Sequence, residues 1–518
     1  MQNVLMFIVL VPVAAAILLL FIPSKAPDVA RGVALLGSLI SLAFGVAAYI
    51  AFNRSAGGFQ FLSGFRWFSV HDAYSTTPLH VNFQFGVDGI ALPLVLLVGV
   101  VSVLAVIRSF RVDHRIKAHY FWMLLLIAGL YGVFASADIF PFFFFLELTL
   151  VASYFLINIW GNEKRHQAAM KFLIYRGLAS VVLLAALIGL AYNMASAAEL
   201  AAGTAFIPWA PNVFTLSIPH LLFEVSRIHL PVATQDGLFL VFLLAVLVEE
   251  ALFPFHTWLP TTHEQSDTGT NMLIGGALMK VGLYVLLRFA AEMLPKGLQT
   301  YSLLLGILGV ISILYGAFVA VAAKDWRRLI AYSSISHMGL VLLAVASMQA
   351  LGFQGAVFIL VSSGLLTALM FYTVGAQADR TKTFEIGKLG GLSKPLPVIS
   401  GVMLFAALGT VGLPGLSGFI AEFTAFVGAF GTHPVLAIIA TAGMILAALY
   451  LLFAMQRTTF GGTRSEYVGL KDARAIEYVP LVVLTALVVL VGVYPDVLGT
   501  VVHGVAQSMA AKMGVELR

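Results

Sequence analysis

Residues 245–260 read AVLVEEALFPFHTWLP, an apolar run carrying two adjacent glutamates, Glu249 and Glu250, with Pro254 four residues further on. As a helix, the stretch 237–258 is long enough to cross the hydrocarbon core of a bilayer. An ionised side chain at mid-depth costs at least about 2.5–3.5 kcal/mol there. Either the run is not surrounded by lipid, or the two carboxylates serve a purpose. The proline gives a second hint, because a transmembrane helix that loses a backbone N–H breaks only where protein or water can satisfy the freed groups.

The rest of the chain sets the context. It is 60% hydrophobic and 10% charged, where soluble domains carry about 25% charge. Fourteen apolar runs follow one another: 4–22, 33–53, 89–107, 119–136, 139–158, 171–193, 237–258, 271–289, 301–322, 329–349, 352–377, 397–430, 434–456 and 478–502. The expected fold class is therefore an all-α polytopic membrane protein. The first run lacks a basic flank and a small-residue cleavage site, so it reads as a span and not as a signal peptide. The twelfth is too long for one straight crossing and contains GLPG at 412–415, which predicts a broken helix. Pro254 predicts a second break in the seventh. The segment 194–236 reads as a loop with a short surface helix.

The chain has no cysteine, which excludes thiolate-held iron–sulfur clusters, thiol catalysis and disulfides. Its histidines lack metal-ligand spacing, and no glycine-rich phosphate loop follows a strand-like segment. The formal charge of +5 is too modest to suggest nucleic acid. Of the 29 basic residues, 19 fall in loops after odd-numbered spans and 7 in loops after even-numbered spans or in the tail, counting Arg288 at the very end of the eighth span with its loop, leaving 3 within spans. By the positive-inside rule the odd-numbered loops face the cytoplasm and both termini face outside. Lys171 and Arg176 would snorkel from the first turns of the sixth span. Lys280 alone is stranded.

Glu147, Glu249, Lys280 and His337 stand near mid-depth in the fifth, seventh, eighth and tenth spans, and Glu422 follows the GLPG break by about two turns. Burial brings the proton affinities of carboxylates and amines closer together. A row of such groups, linked by water, is what proton conduction requires. Each also has a plainer reading: a static helix–helix hydrogen bond for Glu147 or His337, a packing ion pair for Lys280. Adjacent residues on a helix point about 100° apart, so only one of Glu249 and Glu250 is expected to face the path. The other would meet backbone freed by the break, a neighbouring subunit or a wet cavity. The aromatic run Phe140–Phe145 is expected to face lipid or to serve as packing surface.

Six strings in order, FFFFLELTL, GNEKRHQAAMKFLIY, FPFHTWLPTTHE, GGALMKVGLYVLLRF, KDWRRLIAYSSISHMG and GLPGLSGFIAEF, resemble the antiporter-like membrane subunits of respiratory complex I from about Tyr120 to Phe460. Within that family the chain is most similar to chain M (chain 4) of NADH:quinone oxidoreductases. Glu422 stands where sister chains typically carry lysine, and the chain stops 16 residues after its fourteenth run, too soon for chain L's lateral helix. The resemblance implies helices 1–3 over residues 1–118 and an inverted five-helix repeat over 119–291. A second such repeat would occupy 292–456, and a loop, helix 14 and a short tail 457–518. Each repeat would contain a broken helix.

The resemblance further implies a proton path through Glu147, Glu249, Lys280, His337 and Glu422, with Glu250, His256 and Ser363 as secondary members. Two positions depart from the family pattern: Glu249 stands where the family has a lysine, and Ser363 where it has a histidine. A close Glu147–Glu249 pair would share one proton. Such a pair could still conduct with Lys280 as countercharge, or the half-channel could be impaired and the chain serve partly as scaffold. The resemblance implies no cofactor in this chain, with iron–sulfur clusters, flavin and quinone in partner subunits. Its partners would be the other membrane-arm subunits, including sister antiporter-like chains, in an energy-coupling membrane such as a bacterial plasma membrane. Subunits of multisubunit Na⁺/H⁺ antiporters and of membrane-bound hydrogenases are similar and remain alternatives.

Overall fold

The computed structural model describes residues 3–23, 25–70, 79–201, 215–228 and 230–514. Among these, thirteen helices are long and apolar enough to cross a membrane. A fourteenth crossing consists of two shorter helices, Pro397–Thr410 and Ser417–Thr432, joined through the GLPG turn. The chain is thus an all-helical, multi-pass membrane protein. An even number of crossings puts both ends at one face, called here the terminal face; the other is the loop face.

Burial sorts the spans. Every residue in the most apolar window of the eighth (Thr268–Ala291) and eleventh (Ala350–Thr381) spans is buried, and nearly every one in the tenth (Trp326–Ala346). The first, second and thirteenth spans bury only a third or so of theirs, as lipid-facing helices do. The centre of the molecule is therefore formed by the helices that carry Lys280, His337 and Ser363.

Several span boundaries differ from expectation by five to eight residues, and two differences change the reading. The sixth span runs Arg165–Ala201, beginning six residues before the predicted start. Its polar opening residues are helical, so Arg176 lies about three turns inside and cannot snorkel; it is 1% exposed. The predicted last span, 478–502, is divided: a membrane helix ends at Val493 and a second helix occupies Asp496–Lys512. Pro495 stands between them and cannot continue the hydrogen-bond ladder. The last helix buries the pairs 498–499, 501–502, 505–506 and 509–510 and exposes the residues between, which is the pattern of a surface helix. The Val497 carbonyl accepts from Tyr49 Oη at 2.5 Å, and the Met513 carbonyl from Gln299 Nε2 at 2.8 Å. Lys512 Nζ lies 3.7 Å from Glu292. These partners are the terminal-face ends of three spans, so the helix lies across that face.

The loop between the second and third spans holds an antiparallel hairpin, β1 (Gln60–Val70) and β2 (Leu79–Val87), which the sequence reading did not foresee. The Phe83 ring of β2 stacks on Phe65 and meets Phe140 and Phe144 edge-on. The aromatic run therefore serves as packing surface: Phe142 and Phe145 are buried, while Phe144 keeps an exposed flank. The predicted surface helix in 194–236 is present as Ile218–Val225.

Candidate proton-path site

The seventh span is broken where Pro254 predicts. Its first half is Val232–Glu249 and its second Trp258–Gln265. Groups freed by the break find partners in protein, as a membrane interior demands. Trp258 Nε1 donates to the Val248 carbonyl at 2.9 Å, and the Phe253 N–H donates to Ser312 Oγ at 3.3 Å. The eighth span is irregular at the same level. A helix over Thr268–Gly276 gives way to a tight turn at Leu278–Lys280, a short α stretch at Val281–Val285 and a π-helical turn at Leu286–Ala291.

Both glutamates of the opening stretch point inward, contrary to the expectation that only one would. The helix ends between them, and Glu250, its C-cap, is no longer bound by helical spacing. Glu249 Oε1 accepts from Arg176 Nη2 of the sixth span at 2.5 Å. The guanidinium lies over the rings of Phe172 and Trp258, centroids 5.6 and 5.8 Å away. Glu147, half-buried on the fifth span, is within electrostatic reach of Glu249 and keeps one carboxylate oxygen buried without a partner among the described residues. Glu249 is thus held by a cation, with Glu147 as a like-charged neighbour. The sequence reading missed Arg176. The signal was available: an acid in place of a lysine on one helix, and a lone arginine in an apolar stretch of the helix before it.

Glu250 faces the other way. Its Oε1 accepts from the Gly282 N–H at 2.6 Å and the Leu283 N–H at 3.3 Å, the first free donors after the turn in the eighth span. It therefore satisfies backbone of the neighbouring helix and not of its own break. A Cβ at position 282 would meet the Glu250 side chain at 2.7 Å and Glu249 Cβ at 3.2 Å, so only glycine lets the two spans close up. Lys280, fully buried, acts electrostatically on Glu250. Its Nζ also contacts Met338 Sδ of the tenth span at 3.8 Å.

Next to Met338 is His337. Its Nδ1 is 2.8 Å from the Ser333 carbonyl, and its Nε2 is 3.1 Å from the Thr410 carbonyl and 3.3 Å from Glu422 Oε1. The two carbonyls can only accept, so each of those contacts requires a proton on the ring nitrogen that makes it. Glu422 lies against Gly412, whose φ of +81° needs glycine and whose missing Cβ leaves room for the carboxylate. His337 and Glu422 line a small cavity of about 30 Å³, water-sized, together with Ser334, Ser363, Thr367 and Thr410. Ser363 is thus a hydroxyl in the wall of the cavity that water would occupy.

His256 lies to one side. Its Nε2 is 3.1 Å from Tyr315 Oη of the ninth span, away from the Lys280 row. Another histidine of the same motif, His263, was not singled out from the sequence. It is fully buried, its Nδ1 is 2.7 Å from Asn271 Oδ1, and Lys280 acts on it electrostatically. The Asn271 amide nitrogen donates to the His263 and Ser266 carbonyls at 2.8 and 3.2 Å. That fixes Nδ1 as a donor and leaves Nε2 unpaired among the described residues. Among the described residues no cluster of His, Asp and Glu could hold a metal ion.

Residues 136–449 match the family model described as NADH:quinone oxidoreductase/Mrp antiporter, transmembrane. The F(420)H(2) dehydrogenase subunit M of Methanosarcina mazei is 34% identical over 521 residues, covering 99% of this chain and all of that protein. NADH-quinone oxidoreductase subunit M of Rhodobacter capsulatus is 32% identical over 524 residues, covering 99% of this chain and 98% of the relative. A chain of respiratory complex I from Thermus thermophilus superposes with a TM-score of 0.84 at 30% identity, over 99% of this chain and all of that one.

Proposed function

The chain belongs to the NADH:quinone oxidoreductase/Mrp antiporter transmembrane family, among the chain M/chain 4 homologues of complex I, and we propose that it translocates protons in the membrane arm of a complex I-type quinone oxidoreductase. The observation that carries the reading is the row of charged groups across the buried centre: Glu147, Arg176–Glu249, Glu250, Lys280, then His337–Glu422. In the first half of the row three carboxylates face two cations. Fully ionised, that half carries one net negative charge, and one added proton neutralises it. Low dielectric makes the neutral state much cheaper than its neighbours. The half therefore takes up a single proton readily and gives it up when a charge shifts nearby.

Protons would enter from the loop face, which the distribution of basic residues marks as cytoplasmic, with His263 and Asn271 beside the entry. They would reach Lys280 and cross the hydroxyl-lined cavity to Glu422. Arg176 supplies the positive charge that the family places on the seventh span, so the exchange at Glu249 relocates the cation without removing it. This favours a working half-channel over a scaffold role. Electron transfer, with its iron–sulfur clusters, flavin and quinone, would reside in partner subunits. The relatives are subunits of complexes named for different electron donors, and the donor used here would be read from the complex that copurifies with a tagged chain. Iron–sulfur polypeptides in that preparation would place the chain in an electron-transfer complex; only hydrophobic antiporter-like chains, without iron, would move it to the cation antiporters. The translocation reading itself fails if Lys280→Met and Glu147→Gln, in assembled complex, leave protons pumped per electron unchanged.

A further inference from the structure

The face of the eighth span that holds Lys280 continues to the terminal face as Tyr284, Arg288 and Glu292, each four residues after the last. On an α-helix such a series drifts by about 40° per step. The π-helical turn Leu286–Ala291 is wound more loosely and takes part of that drift back. Arg288 is fully buried, with Nη2 2.5 Å from Asp88 Oδ1 and Nη1 2.6 Å from Glu292 Oε2. Its guanidinium lies 5.6 Å from the Tyr284 ring centroid. Asp88 and Glu292 border a vestibule of about 310 Å³ on the terminal face, together with Lys512 of the surface helix. One turn after Lys280 and one turn before Arg288 stands Tyr284, fully buried, with its hydroxyl beside the Arg288 guanidinium.

We propose that this face is a second proton outlet from Lys280, opening at Glu292 and Asp88 beside the route through His337 and Glu422. The proposal rests on the reading of the chain as a proton translocator. The Lys280 ammonium passes a proton through water to the Tyr284 hydroxyl, which accepts on its oxygen and releases its own proton onward to the Glu292 carboxylate. Once neutral, Glu292 loosens its hold on Arg288, which stays with Asp88. Vestibule water then takes the proton, Glu292 regains its charge, and the pair re-forms. Arg288 never deprotonates; it positions the two carboxylates.

The test uses the whole complex in proteoliposomes, measuring protons pumped per electron beside the electron-transfer rate. Tyr284→Phe keeps the ring packing and every ion pair and removes only the hydroxyl. It is expected to assemble, to transfer electrons at the wild-type rate, and to give a ratio between wild type and Lys280→Met. Glu292→Gln is expected to do the same, and Tyr284→Phe combined with Glu422→Gln to fall to the Lys280→Met value. A wild-type ratio for Tyr284→Phe overturns the outlet, whatever Glu292→Gln does to assembly. If Lys280→Met itself pumps normally, translocation through this chain fails and takes the outlet with it.

Discussion

The arginine–glutamate pair at the head of the row makes one residue's role depend on another. Arg176 and Glu249 are each more than nine-tenths buried and joined at 2.5 Å. Removing one partner of such a pair leaves a bare charge in a medium that cannot solvate it, at a cost of about 3–5 kcal/mol. Arg176→Gln is therefore expected to lower the thermal stability and yield of the assembled complex. Glu249→Lys is expected to be worse, because it sets two cations against each other. Combining Glu249→Lys with Arg176→Glu instead returns the cation to the seventh span and keeps the charge total. Pumping per electron should then recover to within about twofold of wild type, a coupling of the size seen between contacting charges. If the double variant pumps no better than Glu249→Lys alone, Arg176 is not the relocated cation. His337 differs, since its ring is held by two backbone carbonyls as well as by Glu422. His337→Gln can keep one of those contacts, so it should assemble normally and slow pumping, read as a lower ratio at an unchanged electron-transfer rate.

Among the elements, the interrupted helices hold the charges in place, and two glycines set how closely they pack. Gly282→Ala would drive a methyl into Glu250 and push the eighth span from the seventh; overpacking of this kind costs about 1–3 kcal/mol. Gly412→Ala adds strain from a positive φ to a collision with Glu422. Both are expected to reduce pumping more than yield, and Gly412→Ala more than Gly282→Ala, in membranes assayed for both. Much of this level was legible beforehand. The proline and the GLPG turn announced both breaks, and isolated charges in apolar runs marked Glu147, Glu249, Lys280, His337 and Glu422. What escaped were features that depend on a neighbouring element. Arg176 was misplaced because the sixth span starts in a polar stretch, and polar residues look like loop until a partner helix covers them. The final surface helix was read as membrane because its buried face, summed with the preceding span, looks like one long apolar run. The hairpin holds together through Phe83 against Phe140 and Phe144, residues more than fifty positions away. Glu250 was ranked below Glu249 because the π-turn and tight turn that expose the Gly282 and Leu283 N–H groups leave no trace in composition.

For the molecule as a whole, direction is the remaining variable, and the fold ties it to charge. Lys280 sits at the centre of a span buried along its whole apolar window, so the sense of transport depends on which face each end of the row opens to. The distribution of basic residues assigns the loop face to the cytoplasm, and that rule rests on loops close to membrane helices, which these are. The outlet from Lys280 past Tyr284 and the surface helix over the terminal face would then both lie outside. The absence of native cysteine makes the assignment directly testable, because a single introduced thiol reports without background. Ser55 in the loop after the second span and Ser465 in the loop after the thirteenth are both exposed. A membrane-impermeant maleimide added to intact cells, stripped of any outer wall barrier, should label Ser55→Cys and spare Ser465→Cys until the membrane is opened. The opposite pattern would invert the path, making the Glu292 vestibule an inlet and the His263 side the exit. The residues of the row would keep their places, and only the direction of each transfer would reverse.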